Sequence, residues 1–558
     1  MHPVDQQSDE LAVKLQHYVA AQTPRVLTQM DRDPDSPTAG CFDRNYWHYK
    51  IRDFPSSILQ QGVHTLEAMR RGQIPSWKTG KPTHEWSVNA INALSRQVDR
   101  AGGVDEYYPY ERSYPASAFG LYAACRVLWD WQREQSNCLA KIDWAGLKRL
   151  ARHVSRRIES QASNQQAAGL AGMALASKLE ALQLDPQAVQ QHADRFFASQ
   201  HEEGWWDEYG GPDFGYLTVT LDALADYYDA TQDDRALKAT DRAVAFLAKL
   251  VGVDGRLPST LNSRNTDYVV PYGLTRAAQR NGQAAWLVRT LFAEANDPSH
   301  FLWATDDRYH CHYVFASVVR ALPYLSSMIQ SEAPSLDEDE WLEGCGYWIK
   351  RPAHARWTAF VGARKGGLVR IHRTDAPPVV EFGWRIRAGK RLMVTNWWSD
   401  QWAIERRPGQ LLLSGQCQKA GYHASSPSRH MVLRMLSFFL HDRVIPLLKR
   451  IMIFRPNRQK GPAFTRTIAI DASGVTVSDT IGECPNATVH AAPRQNLRHV
   501  ASADSFSPEE TNPTLWGERS ASLAKAFHAE ATWRGSSENQ HPSASQAPGT
   551  ELSTVVAD

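Results

Sequence analysis

The sequence predicts an α+β multidomain chain: an N-terminal α/α toroid followed by an antiparallel β-sandwich domain. Two observations carry this. Up to about residue 330, apolar residues recur at helical spacing in about ten to twelve segments. Short turns alternate there with long loops rich in Trp, Tyr, Asp and Glu. Past SEAPSLDEDE the texture switches to short period-two runs broken by Gly or Pro, as in WTAFVGARKGGLVRIHRT and QLLLSGQC. Helical hairpins with long loops on one side describe a toroid, and the lack of a strict sequence period argues against a one-unit solenoid.

Taken in order, 1–40 reads as an N-terminal helix and linker, with Pro24 expected to interrupt the helix. Residues 41–330 read as the toroid. Pro55 suits the start of SILQQGVHTLEAMRRG, and Gly102-Gly103 stops the helix that follows it, THEWSVNAINALSRQVDRAG. VDEYYPYERSYPAS is an aromatic-acidic loop before the helix AFGLYAACRVLWDWQREQ. Residues 341–525 read as the β-sandwich, with RHMVLRMLSFFLHDRVIPLLKR helical inside it and a hairpin at Ser473-Gly474. The tail 535–558 is poor in apolar residues and is expected to be disordered.

Composition bounds the function. A net charge of +2 gives no bulk field for nucleic acid or a membrane surface. No apolar run reaches the length of a bilayer span, so no membrane insertion is expected. The start MHPVDQQSDELAVK lacks a basic segment and an apolar run, so a cytoplasmic location is expected. Seven scattered cysteines without a CxxC spacing indicate neither a zinc site nor a disulfide framework. The HCH of His310 and His312 puts alternate residues on different sides of a helix and reads as packing. Nineteen tryptophans suggest ring-lined clefts, for which carbohydrate is a common ligand.

One stretch concentrates these features: QHEEGWWDEYGGPDFGY, from Gln200 to Tyr216. It is too polar and Gly-rich for a core element and too aromatic for an idle linker. Trp205, Trp206 and Tyr209 offer stacking faces, and Glu208 and Asp213 offer acceptors for sugar hydroxyls.

Asn164-Gln165 opening a helix, EGWWDEYGGPDFGY ending in Tyr216, and GGLVRIH ending in His372 together resemble the heparinase II/III-like polysaccharide lyases and their alginate-lyase relatives. The toroid-then-β layout is similar too. Gln165 stands where many members have histidine, and the His-rich strand motif is reduced to His372. The resemblance implies β-elimination on a uronic-acid polymer, with Asn164 neutralising the carboxylate and Tyr216 and His372 moving protons. No metal or organic cofactor is implied, and the partner is an acidic polysaccharide or oligosaccharide.

The chemistry makes the same demands independently. Removing a weakly acidic carbon-bound proton requires the sugar carboxylate to be neutralised while charge moves onto it. Amides such as Asn164 and Gln165, or the guanidinium of Arg264 beside Asn265 in SRNT, do this with oriented hydrogen bonds. A tyrosine whose ordinary pKa of about 10 is lowered, or a histidine, serves as acid or base. Two other readings stay open. A toroid glycoside hydrolase would take its acid and base from Asp207, Glu208, Asp213 and Glu106. A non-catalytic saccharide-binding protein of polysaccharide synthesis would use the same aromatic loop. Gln200-HEE-Gly204-Trp-Trp206 also fits the Q-x-x-x-G-x-W signature of triterpene cyclases, but it occurs once and without their acidic motif.

Overall fold

The computed structural model describes residues 3–77, 82–374, 376–420, 425–443, 461–495, 506, 508–511, 514–535 and 550–553. It forms two compact units. The first comprises Met1–Ala248, Tyr268–Pro334 and Ser425–Arg450; the second comprises Lys249–Asp267, Ser335–Ala424 and Ile451–Asp558. The contiguous boundaries expected from sequence therefore need two corrections. Residues 249–267 join the β unit, where Ser259 and Leu261 hydrogen-bond to Arg370 and Tyr347. Residues 425–450 join the helical unit.

The helical unit contains α1 (Pro3–Gln29), α2 (Arg44–Trp47), α3 (Val63–Arg70), α4 (Pro82–Gln97) and α5 (Tyr114–Arg133). It continues through α6 (Trp144–Ser155), α7 (Ser163–Lys178), α8 (Pro186–Ala198), α9 (Phe214–Thr231) and α10 (Asp234–Lys249). Then come α11 (Tyr272–Ala277), α12 (Gly282–Leu291), α13 (Asp307–His310), α14 (Tyr313–Ala321) and, later in the chain, α15 (Pro427–Leu440). Helices beyond the expected number are short pieces such as α2 and α13.

A closed inner ring is traced by α3 on α5, α5 on α7, α7 on α9, α9 on α11, α11 on α14, and α14 back on α3. Composition sorts the layers. Every residue of α7 from Gln166 to Ala176 is buried, which its small side chains (QAAGLAGMALA) allow. The flanking α6 buries only Gly146, Leu147, Leu150, Ala151 and Val154, the single stripe of an outer helix. The ring is tied off by α1. Tyr18 donates to the Leu302 carbonyl at 3.0 Å, and Arg25 pairs with Asp307 at 2.7 Å.

Pro24 does not interrupt α1. Proline withholds the N–H that would bond the carbonyl four residues back. That carbonyl, Ala20, accepts the indole N–H of Trp77 at 3.1 Å instead.

Four ring helices meet on one carboxylate. Asp226 of α9 is fully buried. It bonds Tyr122 of α5, Arg320 of α14 and, at 2.8 Å, Tyr272 of α11, with Arg126 of α5 at 3.5 Å. Burial alone would raise its pKa, but Arg320 and Arg126 more than offset this and hold it at about 2.

Among the described residues every strand pairing of the second unit is antiparallel. One sheet orders β1 (Asp339–Leu342), β2 (Tyr347–Lys350), β3 (Trp357–Gly362), β4 (Leu368–Arg373) and β5 (Val379–Val380) consecutively. The later strands are β6 (Trp384–Ala388), β7 (Arg391–Val394), β8 (Ala403–Arg407), β9 (Gln410–Gln416), β10 (Gln418–Ala420) and β11 (Ala463–Asp471). They are followed by β12 (Gly474–Ile481), β13 (Ala487–Ala491), β14 (Ser520–Ser522), β15 (Phe527–Arg534) and β16 (Thr550–Ser553). They form two further sheets, β10-β7-β6-β13-β14 and β16-β15-β12-β11-β9-β8.

The β11–β12 hairpin turns at Ser473-Gly474 as the alternation requires, with Asp471 paired to Gly474. Trp348, Trp357, Trp384, Trp516 and Trp533 lie in the shared core. Arg466 is buried there between Glu381 and Asp479, each at 2.6 Å. Strand β15 extends the sandwich past 525. Of the tail expected to be disordered, Thr550–Ser553 pairs with β15 instead, while 536–549 and 554–558 lie outside the described residues.

Removing one member of a buried ion pair leaves the other charge uncompensated. Asp226→Asn is expected to cost roughly 3–5 kcal/mol in denaturant unfolding. Asp229→Asn, one turn on and partly exposed, should cost about 1 kcal/mol or less. Because the folded pKa of Asp226 lies below its ordinary 3.8, its contribution is present above that pH and lost as pH falls through about 2.

Candidate active site

Inner and outer helices alternate along the chain, so the inner helices run parallel and their N-termini gather at one end of the ring. The long loops lead into that end: 98–113 into α5, 156–162 into α7, 199–213 into α9 and 292–312 into α14. Helix N-termini carry partial positive charge and unsatisfied N–H groups. Most candidate residues of the toroid stand here.

Asn164 is the second residue of α7, and Ala162 holds the N-cap position. With no capping side chain at Ala162, the helix start is capped from another segment. Glu208 accepts from the Asn164 backbone N–H at 2.7 Å and from its side-chain amide at 2.9 Å. An isolated bridge between Ala162 and Glu208, and bonds from Tyr209 N to Gln161 O and Ser163 Oγ to Asp207 O, stitch the loop to α7. Gln165 reaches the Tyr209 hydroxyl at 3.4 Å. The Asn164 amide has two hydrogens; Glu208 orients the group by taking one.

The rest of the loop is fixed internally. Asp213 is the N-cap of α9 and accepts from the Tyr216 N–H at 3.0 Å. Asp207 closes a turn by accepting from Gly210 N–H. Gly204 sits at φ +104° against α10, where a Cβ would lie 2.2 Å from the Arg242 carbonyl. Trp205 and Trp206, expected to offer stacking faces to sugars, are packed instead. Trp206 is stacked on Phe196 of α8 and donates to its carbonyl at 3.1 Å. Trp205 is stacked on His201 and donates to Glu203 at 2.8 Å.

Tyr216 lies in the first turn of α9, which packs on α7. It belongs to a group of phenols that sequence reading did not assemble. Tyr313 at the start of α14 is hydrogen-bonded to Tyr268, and both rings lie within about 6 Å of Tyr309 or one another. Burial, then the neighbouring Tyr268, Tyr216 and Tyr309, push the Tyr313 hydroxyl well above its ordinary pKa. The only sequence signal was the density of Tyr in NTDYVVPYG and RYHCHY. His312 is stacked on Tyr309 and bonded to Gln61 at 2.8 Å, and His310 bonds the Asp306 carbonyl.

The 98–113 loop supplies the last acids. Glu106 pairs with Arg308 at 2.8 Å and accepts from Ser113. Glu111 accepts the backbone N–H groups of Glu106 and Tyr107, and burial pushes its pKa up to about 8.

The remaining candidates belong to the β unit. Arg264 is fully buried and Asn265 holds a left-handed φ of 61°. His372 on β4 is also fully buried, with Nδ1 2.7 Å from Asp254 Oδ1 and no hydrogen-bond partner for Nε2 among the described residues. When Nδ1 donates to Asp254, Nε2 presents its lone pair. Burial lowers the His372 pKa, with Asp254 opposing. Asp254, missed from sequence, is therefore the orienting partner of His372. It lies 118 residues away in the chain.

No family model and no curated protein matches the sequence. Solved structures do. A chondroitin AC lyase from Streptomyces coelicolor A3, in complex with chondroitin sulphate, has a TM-score of 0.51 at 12% identity, over 88% of this chain and 71% of that one. A GH127 β-L-arabinofuranosidase from Geobacillus stearothermophilus T6 has 0.33 at 10%, over 95% and 96%. A heparan sulfate lyase from Pedobacter heparinus has 0.21 at 9%, over 77% and 79%. At this identity the first shows a shared fold. The chain is an α/α toroid with an antiparallel β-sandwich domain.

Two outcomes follow from the site. Glu208→Ala removes a charged acceptor from two donors and should destabilise the protein by about 1.5–3 kcal/mol in denaturant unfolding. Glu111 has a folded pKa above its unfolded value, so its contribution is full below the ordinary 4.5 and fades as pH rises through about 8. Glu111→Gln should flatten that decline in a pH series of melting temperatures.

Proposed function

We propose that the protein is a polysaccharide lyase that cleaves a uronic-acid-containing polymer by β-elimination. The observation that carries this reading is the use made of the loop carboxylates. Each acid considered for hydrolysis is already engaged. Glu208 caps α7, Asp213 caps α9, Asp207 holds a turn and Glu106 pairs with Arg308. What stands beside them is amide and phenol chemistry, Asn164 and Tyr216 on adjacent ring helices.

In this reading the Asn164 amide, oriented by Glu208, donates to the uronate carboxylate and favours charge moving onto it as the C5 proton leaves. Gln165 adds a donor. Tyr216 acts as acid and base, taking the C5 proton and returning one to the departing O4. Tyr209 contacts the sugar. The fold shared with a chondroitin AC lyase supports this reading.

The test is a panel of soluble uronic-acid polymers, followed by the ultraviolet absorbance of the conjugated C4=C5 product. Absorbance should appear on at least one polymer. Tyr216→Phe should lower kcat by roughly 10²-fold or more with KM little changed. Elimination that survives Tyr216→Phe would remove Tyr216 from the mechanism. Within the β unit, the His372 imidazole should titrate below the ordinary 6.5 when its ring protons are followed by NMR, because burial lowers its pKa. Asp254→Asn takes away the group that opposes this lowering and should move that titration lower still.

A further inference from the structure

The β unit has a pocket of its own. Strand β1 is the edge of one sheet and β8 the edge of another. Residues of both strands line a pocket of about 180 Å³, together with the β1–β2 turn and Arg364: Trp341, Glu343, Gly346, Arg364, Ile404 and Arg406. Its walls are held in place. The Ala363 N–H donates to the Gly346 carbonyl at 2.9 Å, which docks the β1–β2 turn beside Arg364. Gly346 has a left-handed φ of 67°, and a Cβ there would meet Arg364 Cγ at 3.0 Å. The Arg364 stem lies across that glycine. From the other side Asp339 holds Arg406 at 2.7 Å, and the Trp348 indole N–H fixes Asp339 at 2.8 Å.

The lining has the chemistry to hold a carboxylate-bearing sugar. Arg364 pairs with Asp400 at 3.3 Å and Arg406 with Asp339, and among the described residues each pair uses one guanidinium nitrogen. The other N–H groups of each fork match a carboxylate. The Asp400 side chain is 73% exposed, so its pair with Arg364 costs little to exchange for a ligand. Trp341, 5.7 Å from the Arg406 guanidinium, and Ile404 give an apolar wall for a ring face. Glu343, which accepts the Trp341 indole N–H, is an acceptor for hydroxyls. An apolar wall with a few placed polar groups is the usual make-up of a small-ligand site. A neutral sugar would leave both cations unmatched, and the pocket has room for about one sugar ring. We propose that it binds a single uronate residue of an acidic saccharide. The choice of a uronate rests on the acidic-polysaccharide reading above; the elimination chemistry plays no part in it.

Full-length protein would be run in native gels containing alginate, polygalacturonate, chondroitin sulphate or dextran. At least one acidic polymer should retard it, and dextran should not. Arg364→Gln/Arg406→Gln should weaken that retardation at least threefold with an unchanged melting temperature, because surface ion pairs contribute little to stability. Arg387→Gln/Arg391→Gln, which removes two exposed cations elsewhere in the same unit, should be retarded as the wild type is. Sodium glucuronate should compete better than inorganic phosphate. Four results would overturn the proposal: no retardation by any acidic polymer, equal retardation of the Arg364/Arg406 variant, an equal loss in the Arg387/Arg391 variant, or phosphate competing as well as glucuronate. Retardation lost in the Arg364/Arg406 variant, with no ultraviolet product from any polymer, would sink the lyase reading and leave this site standing. Product formation with the variant's retardation unchanged would do the reverse.

Discussion

The helical unit depends on one buried charge. Asp226 binds groups from α5, α11 and α14 and is itself on α9, so four of the six ring helices converge on a single carboxylate. Taking a carboxylate and a guanidinium out of water is expensive, and only close mutual bonding makes it tolerable. That constraint leaves little freedom of register. A helix shifted by one turn would strand Arg320 or Asp226 without a partner. The β unit uses the same device in mirror image, with Arg466 between Glu381 and Asp479 inside a tryptophan-rich core. In both cases the buried charges specify one arrangement among many that the apolar packing alone would permit.

The ring's parallel inner helices have a second consequence. Their N-termini share one end, and each needs acceptors for its first N–H groups. Acidic loops therefore serve the fold before they serve any ligand. A stretch rich in carboxylates is therefore no mark of hydrolysis by itself: Glu208 and Asp213 complete helix starts and are buried in doing so. The same bonds set the orientation of Asn164 and Tyr216 at those helix starts.

Periodicity made the two-part fold legible, because an all-buried ring helix, an amphipathic outer helix and an alternating strand differ in pattern. Asn164 and Tyr216 were legible as residues at helix starts after polar loops. What stayed hidden depends on distant partners. Pro24 looks like a break until Trp77 supplies the missing donor to Ala20. Glu208 looks like a free acid until α7 is placed beside it, 44 residues away. Trp205 and Trp206 look like a sugar platform because composition does not reveal that His201 and Phe196 cover them. Residues 249–267 read as a toroid loop although their bonds are to β strands. Asp254 carried no local signal at all.

Cleavage in heavy-oxygen water tests the central claim most directly, with the products weighed by mass spectrometry. Elimination breaks the C4–O4 bond without consuming water. The account therefore predicts fragments whose new ends contain no heavy oxygen and whose non-reducing end is unsaturated. Heavy oxygen at the new reducing end, with a saturated sugar opposite, would establish hydrolysis and contradict it.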